Sequence, residues 1–268
     1  MRTERVGSSM ILLQIAREST GCVSYILGSL ADKSCIIVDP LLDYELYRAA
    51  LQESGFTVVG IIDTHTHADH FSGLRYLSDF FPSAFLAVYN TSPVRFECKK
   101  LQDNEVLDER LPAYSHGEAS VRVLFTPGHA SDHMCLLIST NNPRKQMLLS
   151  GDCLFIGDVG RTDLGRGNNH EMFDSLFNKI LKLDPNTEVY PAHIGAKHFL
   201  FTGETRTTIA VERETNPALQ IKDEDEFIKY MTEGWPPKPE HYQDIILANL
   251  GEITLAEARN RMQSKHST

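Results

Sequence analysis

Five short apolar runs in this chain stop at Gly, Pro, His or Asp, and that recurrence limits the fold more than any other feature. They are Ser34-Cys-Ile-Ile-Val-Asp39 before Pro40, Val58-Val-Gly-Ile-Ile-Asp63 before Thr64-His65, and Val121-Arg-Val-Leu-Phe125 before Pro127-Gly-His129. Met147-Leu-Leu149 before Gly151-Asp152 and Val189-Tyr190 before Pro191-Ala-His193 complete the set. Their length and β-branched content favour strands over helices. Strands whose C-terminal loops gather His and Asp at one sheet edge build a metal site from distant pieces of chain.

Helical patterns lie between the strands. Leu42 to Ser54 and Ser72 to Phe81 have helical character, with Ser72 as a cap and Pro82 as a stop, and Glu171 to Leu183 has apolar residues on one face. Interleaved strands and helices predict an α/β layered domain. A polar stretch, Thr202 to Asp225, follows, then Glu226-Phe-Ile-Lys-Tyr-Met231, a Pro236-Pro-Lys-Pro239 break and a helical Thr254 to Met262 capped by Thr254. No Gly/Ser linker sets these pieces apart. One domain over 1–268 is expected, with a core of about 10–220 and an extension, 221–268, packed on it.

Composition narrows the function. A net charge of −10 with no Lys/Arg-dense block argues against nucleic-acid or anionic-membrane binding. Five cysteines without a C-x-x-C pair argue against a disulfide framework and for a reducing compartment. After Arg2 and Arg5, the run Met10-Ile-Leu-Leu13 is too short for a signal core, and no apolar run approaches the roughly 20 residues of a membrane helix. A cytoplasmic protein is expected.

The 11 histidines are concentrated. Thr64-His-Thr-His-Ala-Asp-His70 puts three imidazoles and a carboxylate, the ligand types of zinc and iron, into six residues. The plainer reading is a polar helix-entry loop with Asp69 as cap. His129, Asp152 and His193 each follow a strand, and their shared placement makes them ligand candidates rather than a turn residue, a cap and a buried histidine. Cys153, beside Asp152, reads as a small buried apolar residue or a pocket thiol. His116, His133, His170, His198, His241 and His266 fit no ligand pattern.

The ordered set His-x-His-x-Asp-His at 65 to 70, His129, Asp152 and His193 resembles the metallo-β-lactamase superfamily over roughly residues 10 to 220. The resemblance implies an α+β chain folded as an αβ/βα sandwich, two mixed β-sheets flanked by helices. In dinuclear members His65, His67 and His129 would hold one metal, Asp69, His70 and His193 the second, with Asp152 between. Gly160-Arg-Thr-Asp163, Tyr190-Pro-Ala-His193, Glu212-Arg-Glu-Thr-Asn-Pro-Ala-Leu219, Phe227 and Pro236-Pro-Lys-Pro239 resemble the persulfide dioxygenase family. That likeness implies one Fe(II) on His65, His129 and Asp152, with His67, Asp69, His70 and His193 orienting ligands and moving protons. It also puts Arg161 near a glutathione carboxylate, a salt bridge with Asp163 being the other reading. This chain has Val159 where the family often has Cys, and Gly195 where it often has Tyr.

The expected activity is oxidation of glutathione persulfide, or a related small thiol persulfide, by O2 to sulfite, with His65, His129, Asp152, Asp69 and His70 as the catalytic set. The alternative is a hydrolase of the glyoxalase II type with one or two Zn(II), since all seven dinuclear-type ligands are present. The resemblance also implies a possible homodimer, and the mitochondrial matrix as the compartment if the source is eukaryotic.

Overall fold

The computed structural model describes residues 2–6, 10–17, 19–107, 119–140, 146–194 and 204–265. Gly195 and His116, His198 and His266 lie outside them. Seven strands form one sheet in sequence order: β1 (Arg2–Val6), β2 (Met10–Arg17), β3 (Cys22–Ser29), β4 (Ser34–Val38), β5 (Thr57–Ile62), β6 (Phe85–Tyr89) and β7 (Lys99–Leu101). Pairing is antiparallel from β1 to β4 and parallel from β4 to β7. The second sheet holds β8 (Ala119–Phe125), β9 (Met134–Thr140), β10 (Gln146–Gly151), β11 (Glu188–Pro191) and β12 (Thr207–Thr208), in the order β12-β11-β10-β9-β8. Only β10 and β11 run parallel there.

β3 and β4 are buried at every position, as near-continuous apolar strands must be when both sheet faces are covered. Between the sheets pack Leu12, Leu27, Ile36 and Ile62 from the first and Val121, Leu136, Ile138 and Leu149 from the second. The outer face of the first sheet is covered by α1 (Tyr44–Ser54) and α2 (Leu74–Ser78) through Tyr47, Ala50, Leu74 and Leu77. The second sheet is covered by α3 (Asn169–Asp174), α4 (Ile209–Thr215), α5 (Pro217–Gln220) and α6 (Glu224–Thr232), with Met172, Ile209, Leu219 and Phe227 inward. This is the two-mixed-sheet αβ/βα sandwich. Then follow α7 (Tyr242–Leu250) and α8 (Leu255–Lys265).

Two helices differ from the sequence pattern. Asn168 accepts hydrogen bonds from the backbone N–H groups of His170 and Glu171, so α3 starts two residues before Glu171. A π-helical turn at Ser175–Lys179 and a 3-10 turn at Ile180–Lys182 then replace regular helix, while the Ser175 hydroxyl donates to the Pro127 carbonyl at 2.6 Å. Expected over Ser72 to Phe81, α2 is shorter, because the Ser72 hydroxyl both accepts from Leu74 N–H and donates to Asp63. Thr254 and Glu257 exchange side-chain and backbone hydrogen bonds at the start of α8, a capping box.

Candidate metal centre

Parallel pairing of β4 with β5 and of β10 with β11 brings their C-terminal ends to one edge of the sandwich. The segments after β5, β8, β10 and β11 carry His65 to His70, His129, Asp152 and His193. Their rings form a row: centroids lie 4.9 Å apart for His129 and His65, 4.2 Å for His65 and His67, 4.5 Å for His67 and His70, and 6.3 Å for His70 and His193.

Donor atoms of His65, His129 and Asp152 all lie within 4.8 Å of one another. Asp152 Oδ2 is 3.6 Å from His129 Nε2 and 3.9 Å from His65 Nε2. His129 Nδ1 is 2.6 Å from the Arg161 carbonyl, so Nδ1 carries the proton and Nε2 presents a lone pair. His65 has Nδ1 against the Thr64 hydroxyl at 3.0 Å. Burial, reinforced by the charges of His67, His129 and His133, pushes His65 well below the usual imidazole range and keeps it neutral. The buried nitrogens His65 Nε2, His67 Nδ1 and His70 Nε2 have no hydrogen-bond partner. Orphaned imidazole lone pairs beside carboxylates are what a cation would satisfy, so the residues fit a metal.

The other ring nitrogen of His67 meets a second pair of carboxylates: Nε2 is 3.2 Å from Asp39 Oδ1 and 3.9 Å from Asp63 Oδ1. Asp39 also accepts from the Thr64 N–H at 2.7 Å, tying β4 to the motif loop. Burial raises the Asp63 carboxyl to about 6, even though the charge of His67 pulls it down.

Beside the first group, His193 spans two carboxylates, with Nδ1 2.9 Å from Asp152 Oδ1 and Nε2 2.8 Å from Asp69 Oδ2. His70 Nδ1 is 2.8 Å from the same Asp69 oxygen. Burial opposes charge on these groups, but their attraction wins: it holds Asp69 well below the carboxylate range, brings Asp152 to about 2 and lifts His70 to about 10.

Several residues that frame the site carried no sequence signal. His133 accepts from the Asp152 N–H at 3.0 Å and faces the Thr126 hydroxyl at 2.9 Å. Asn249, on α7, donates to the carbonyls of His67 and His70 and accepts from the Ser72 N–H, each at 2.9 Å. Cys22 puts its sulfur 3.5 Å from Asp69 Oδ2. Burial pushes that thiol up, yet hydrogen bonds and charge from His193 and His70 bring it down to about 6.

The family-like segments have structural partners. Arg161 pairs with Asp163 through Nε and Nη2 at 2.7 and 3.0 Å and donates to the Pro236 and Pro237 carbonyls, over the ring of Trp235. This is the salt bridge that the sequence offered as its other reading, and Arg161 lines a cavity of about 510 Å³ with Trp235 and Lys238. Glu212 accepts from Gly157 N–H and Asn216, both at 2.8 Å, and Asn216 donates to the Asp158 carbonyl, bracing the loop after Asp152. Gly160 is needed by close approach: a Cβ there would lie 1.8 Å from the Asp152 carbonyl oxygen. Cys153 and Val159 are buried in the helix-side core, where a hydrogen bond with Cys135 and burial hold the Cys153 thiol far above its usual range.

The chain belongs to the metallo-β-lactamase superfamily, whose model matches residues 19–193. Within it, the chain is similar to a persulfide dioxygenase: it is 28% identical to the human persulfide dioxygenase ETHE1, mitochondrial, over 92% of this chain and 91% of that protein. The crystal structure of ETHE1 from Myxococcus xanthus superposes with a TM-score of 0.75 and 27% identity, covering 90% of this chain and 98% of that one. A hydroxyacylglutathione hydrolase of Francisella tularensis subsp. novicida is 31% identical, over 61% of this chain and 60% of that protein. Among the described residues no helix is long and apolar enough to cross a membrane.

Proposed function

We propose that this chain is a persulfide dioxygenase whose His65, His129 and Asp152 hold one Fe(II), and that it acts on glutathione persulfide or a related small thiol persulfide. The carrying observation is the convergence of two imidazoles and one carboxylate from three strand ends, with donor atoms within 4.8 Å of one another. Two histidines and a carboxylate leave open positions suited to oxygen chemistry. Likeness to persulfide dioxygenases over 92% of the chain, against 61% for the hydrolase, supports the same reading.

One persulfide, one O2 and one water give one thiol and sulfite: the terminal sulfur is oxidised and O2 is reduced. Bound iron would supply the electrons that activate O2 and bring the two reactants together. The chain's own groups fix the geometry. The Arg161 carbonyl sets the His129 tautomer, and His133 and His193 hold the backbone and one oxygen of Asp152. Asp69, hydrogen-bonded to His70 and His193, gives a chain that would pass a proton to the departing thiol sulfur. The glutathione part would lie in the cavity between Arg161 and Lys238, a carboxylate exchanging with Asp163 for the guanidinium.

Metal-free protein reconstituted anaerobically with Fe(II) or Zn(II) and offered glutathione persulfide and S-lactoylglutathione tests this. The iron form is expected to consume O2 with the persulfide. Thioester hydrolysis by the zinc form, with no O2 uptake by the iron form, overturns the proposal for the hydrolase.

A further inference from the structure

We infer that Asp132 is a positioning residue of the metal group: acting through Thr66 and Arg166, its carboxylate fixes where His65 and His129 stand relative to each other. The inference rests on the reading of His65, His129 and Asp152 as holding one ion, and not on which ion or substrate they take. Asp132 lies three residues after His129, on the turn between β8 and β9, and is fully buried. A carboxylate away from water needs partners from the protein, and Asp132 takes them from the loops on either side of its own.

From the loop after β5, the Thr66 hydroxyl donates to Asp132 Oδ2 at 2.5 Å, the length of a bond from a hydroxyl to an ionised carboxylate. The Thr66 N–H donates more weakly to Oδ1 at 3.4 Å. Thr66 stands between His65 and His67, so these bonds hold the residue that both rings flank. From the loop after β10, Arg166 places Nη2 3.8 Å from Asp132 Oδ1 and donates to the Ser131 hydroxyl at 3.1 Å. That loop also supplies the Arg161 carbonyl that faces His129 Nδ1. Asp132 therefore joins the segment carrying one imidazole ligand to the segment that orients the other.

Backbone bonds complete the arrangement. Met134 N–H donates to the Thr64 carbonyl at 2.9 Å and Asn168 N–H to the Gly128 carbonyl at 2.8 Å, each one residue short of a ligand. His65 is thus gripped from both sides, by Met134 at residue 64 and by Asp132 at residue 66. His133, the next residue on the turn, accepts from the Asp152 N–H, so two adjacent positions reach all three ligand-bearing loops. Ligands on separate loops share an ion only when their spacing is held to about half an ångström, and that spacing is what Asp132 governs.

Cobalt(II) titration of metal-free protein against a chromophoric chelator tests this, read at the component that His129→Ala abolishes. It gives both the affinity and the visible bands that report geometry at the ion. Thr66→Val keeps the side-chain shape but removes the donor to Asp132, and is expected to bind cobalt about 10-fold more weakly with altered bands. Thr66→Ser keeps the donor and loses a methyl, and should match wild type in both. Asp132→Asn, which loses the charge facing Arg166, should weaken binding as Thr66→Val does. Wild-type affinity and bands in Thr66→Val overturn the inference, and so does Thr66→Ser as the weaker binder, which would make the contact one of packing. If Asp132→Asn does not fold, the Thr66 pair decides, since it leaves the carboxylate in place. No persulfide or O2 enters the measurement, so the proposed activity and this role fail separately; wild type that takes up no cobalt overturns the inference.

Discussion

His129 Nδ1 lies 2.6 Å from the backbone carbonyl of Arg161, so residue 161 meets the metal group through its main chain while its guanidinium is bound to Asp163 and to the Pro236 and Pro237 carbonyls. The side chain thus fastens the segment after α6 to the loop that orients a ligand. Arg161→Ala leaves the carbonyl in place but frees the loop. Metal affinity should fall about 10-fold, the lower end for lost ligand-orienting contacts. Competition with a chromophoric chelator measures it, and unchanged affinity would assign the guanidinium to substrate alone.

Asn249 braces the motif loop from behind. Removing its side chain strands two carbonyls and the Ser72 N–H, a cost of about 1–3 kcal/mol when partners are not replaced by water. Asn249→Ala should lower both the melting temperature of the metal-free protein and its affinity for metal. Asn249→Asp should do at least as much harm, because it sets a carboxylate against two carbonyl oxygens. Calorimetry with and without metal separates the two effects.

Glu212 and Asn216 make a similar prediction for the loop after Asp152. Glu212→Ala leaves the Gly157 N–H and the Asn216 amide without their acceptor, and about 1–3 kcal/mol of stability should go with it. Denaturant unfolding tests this. A change within about 0.5 kcal/mol, the usual range for surface positions, would contradict the bracing role.

His133 gives a pH dependence with a definite sign. Burial, with the charge of His129, pulls it down to about 4, against about 6.5 in the unfolded chain. Between those values the unfolded state binds a proton that the folded state refuses, so stability rises with pH across the window and is lost on acidification. The metal-free protein should lose about 2 kcal/mol from this residue between pH 7 and pH 5. His133→Gln, a weaker folder at pH 7, should show a flatter profile over the same range.

The strand ends were legible because each joins a short apolar run to Gly, Pro, His or Asp, and β4, β5, β8, β10 and β11 lie where those runs are. The His and Asp residues after them come together because parallel pairing aligns those ends. Cys22 carried no such mark. It stands at the start of an antiparallel strand, and only the register that pairs Tyr25 with Val38 brings it to the same edge. Asn249 was illegible for a different reason, since its partners are 177 to 182 residues away and an amide on a C-terminal helix looks like any surface polar group. The Glu212 and Asn216 segment was recognisable as a pattern, but its meaning as a brace needed the loop that it holds. Arg161 was open between two readings because a guanidinium with an acid two residues away can serve either an ion pair or a ligand.

Oxygen consumption by anaerobically iron-loaded protein, followed together with sulfite release on adding glutathione persulfide, tests the central claim most directly. One O2 consumed and one sulfite formed per persulfide, lost in His129→Ala and Asp152→Ala, is the predicted result. Iron bound at one per chain with no oxygen consumed would contradict it.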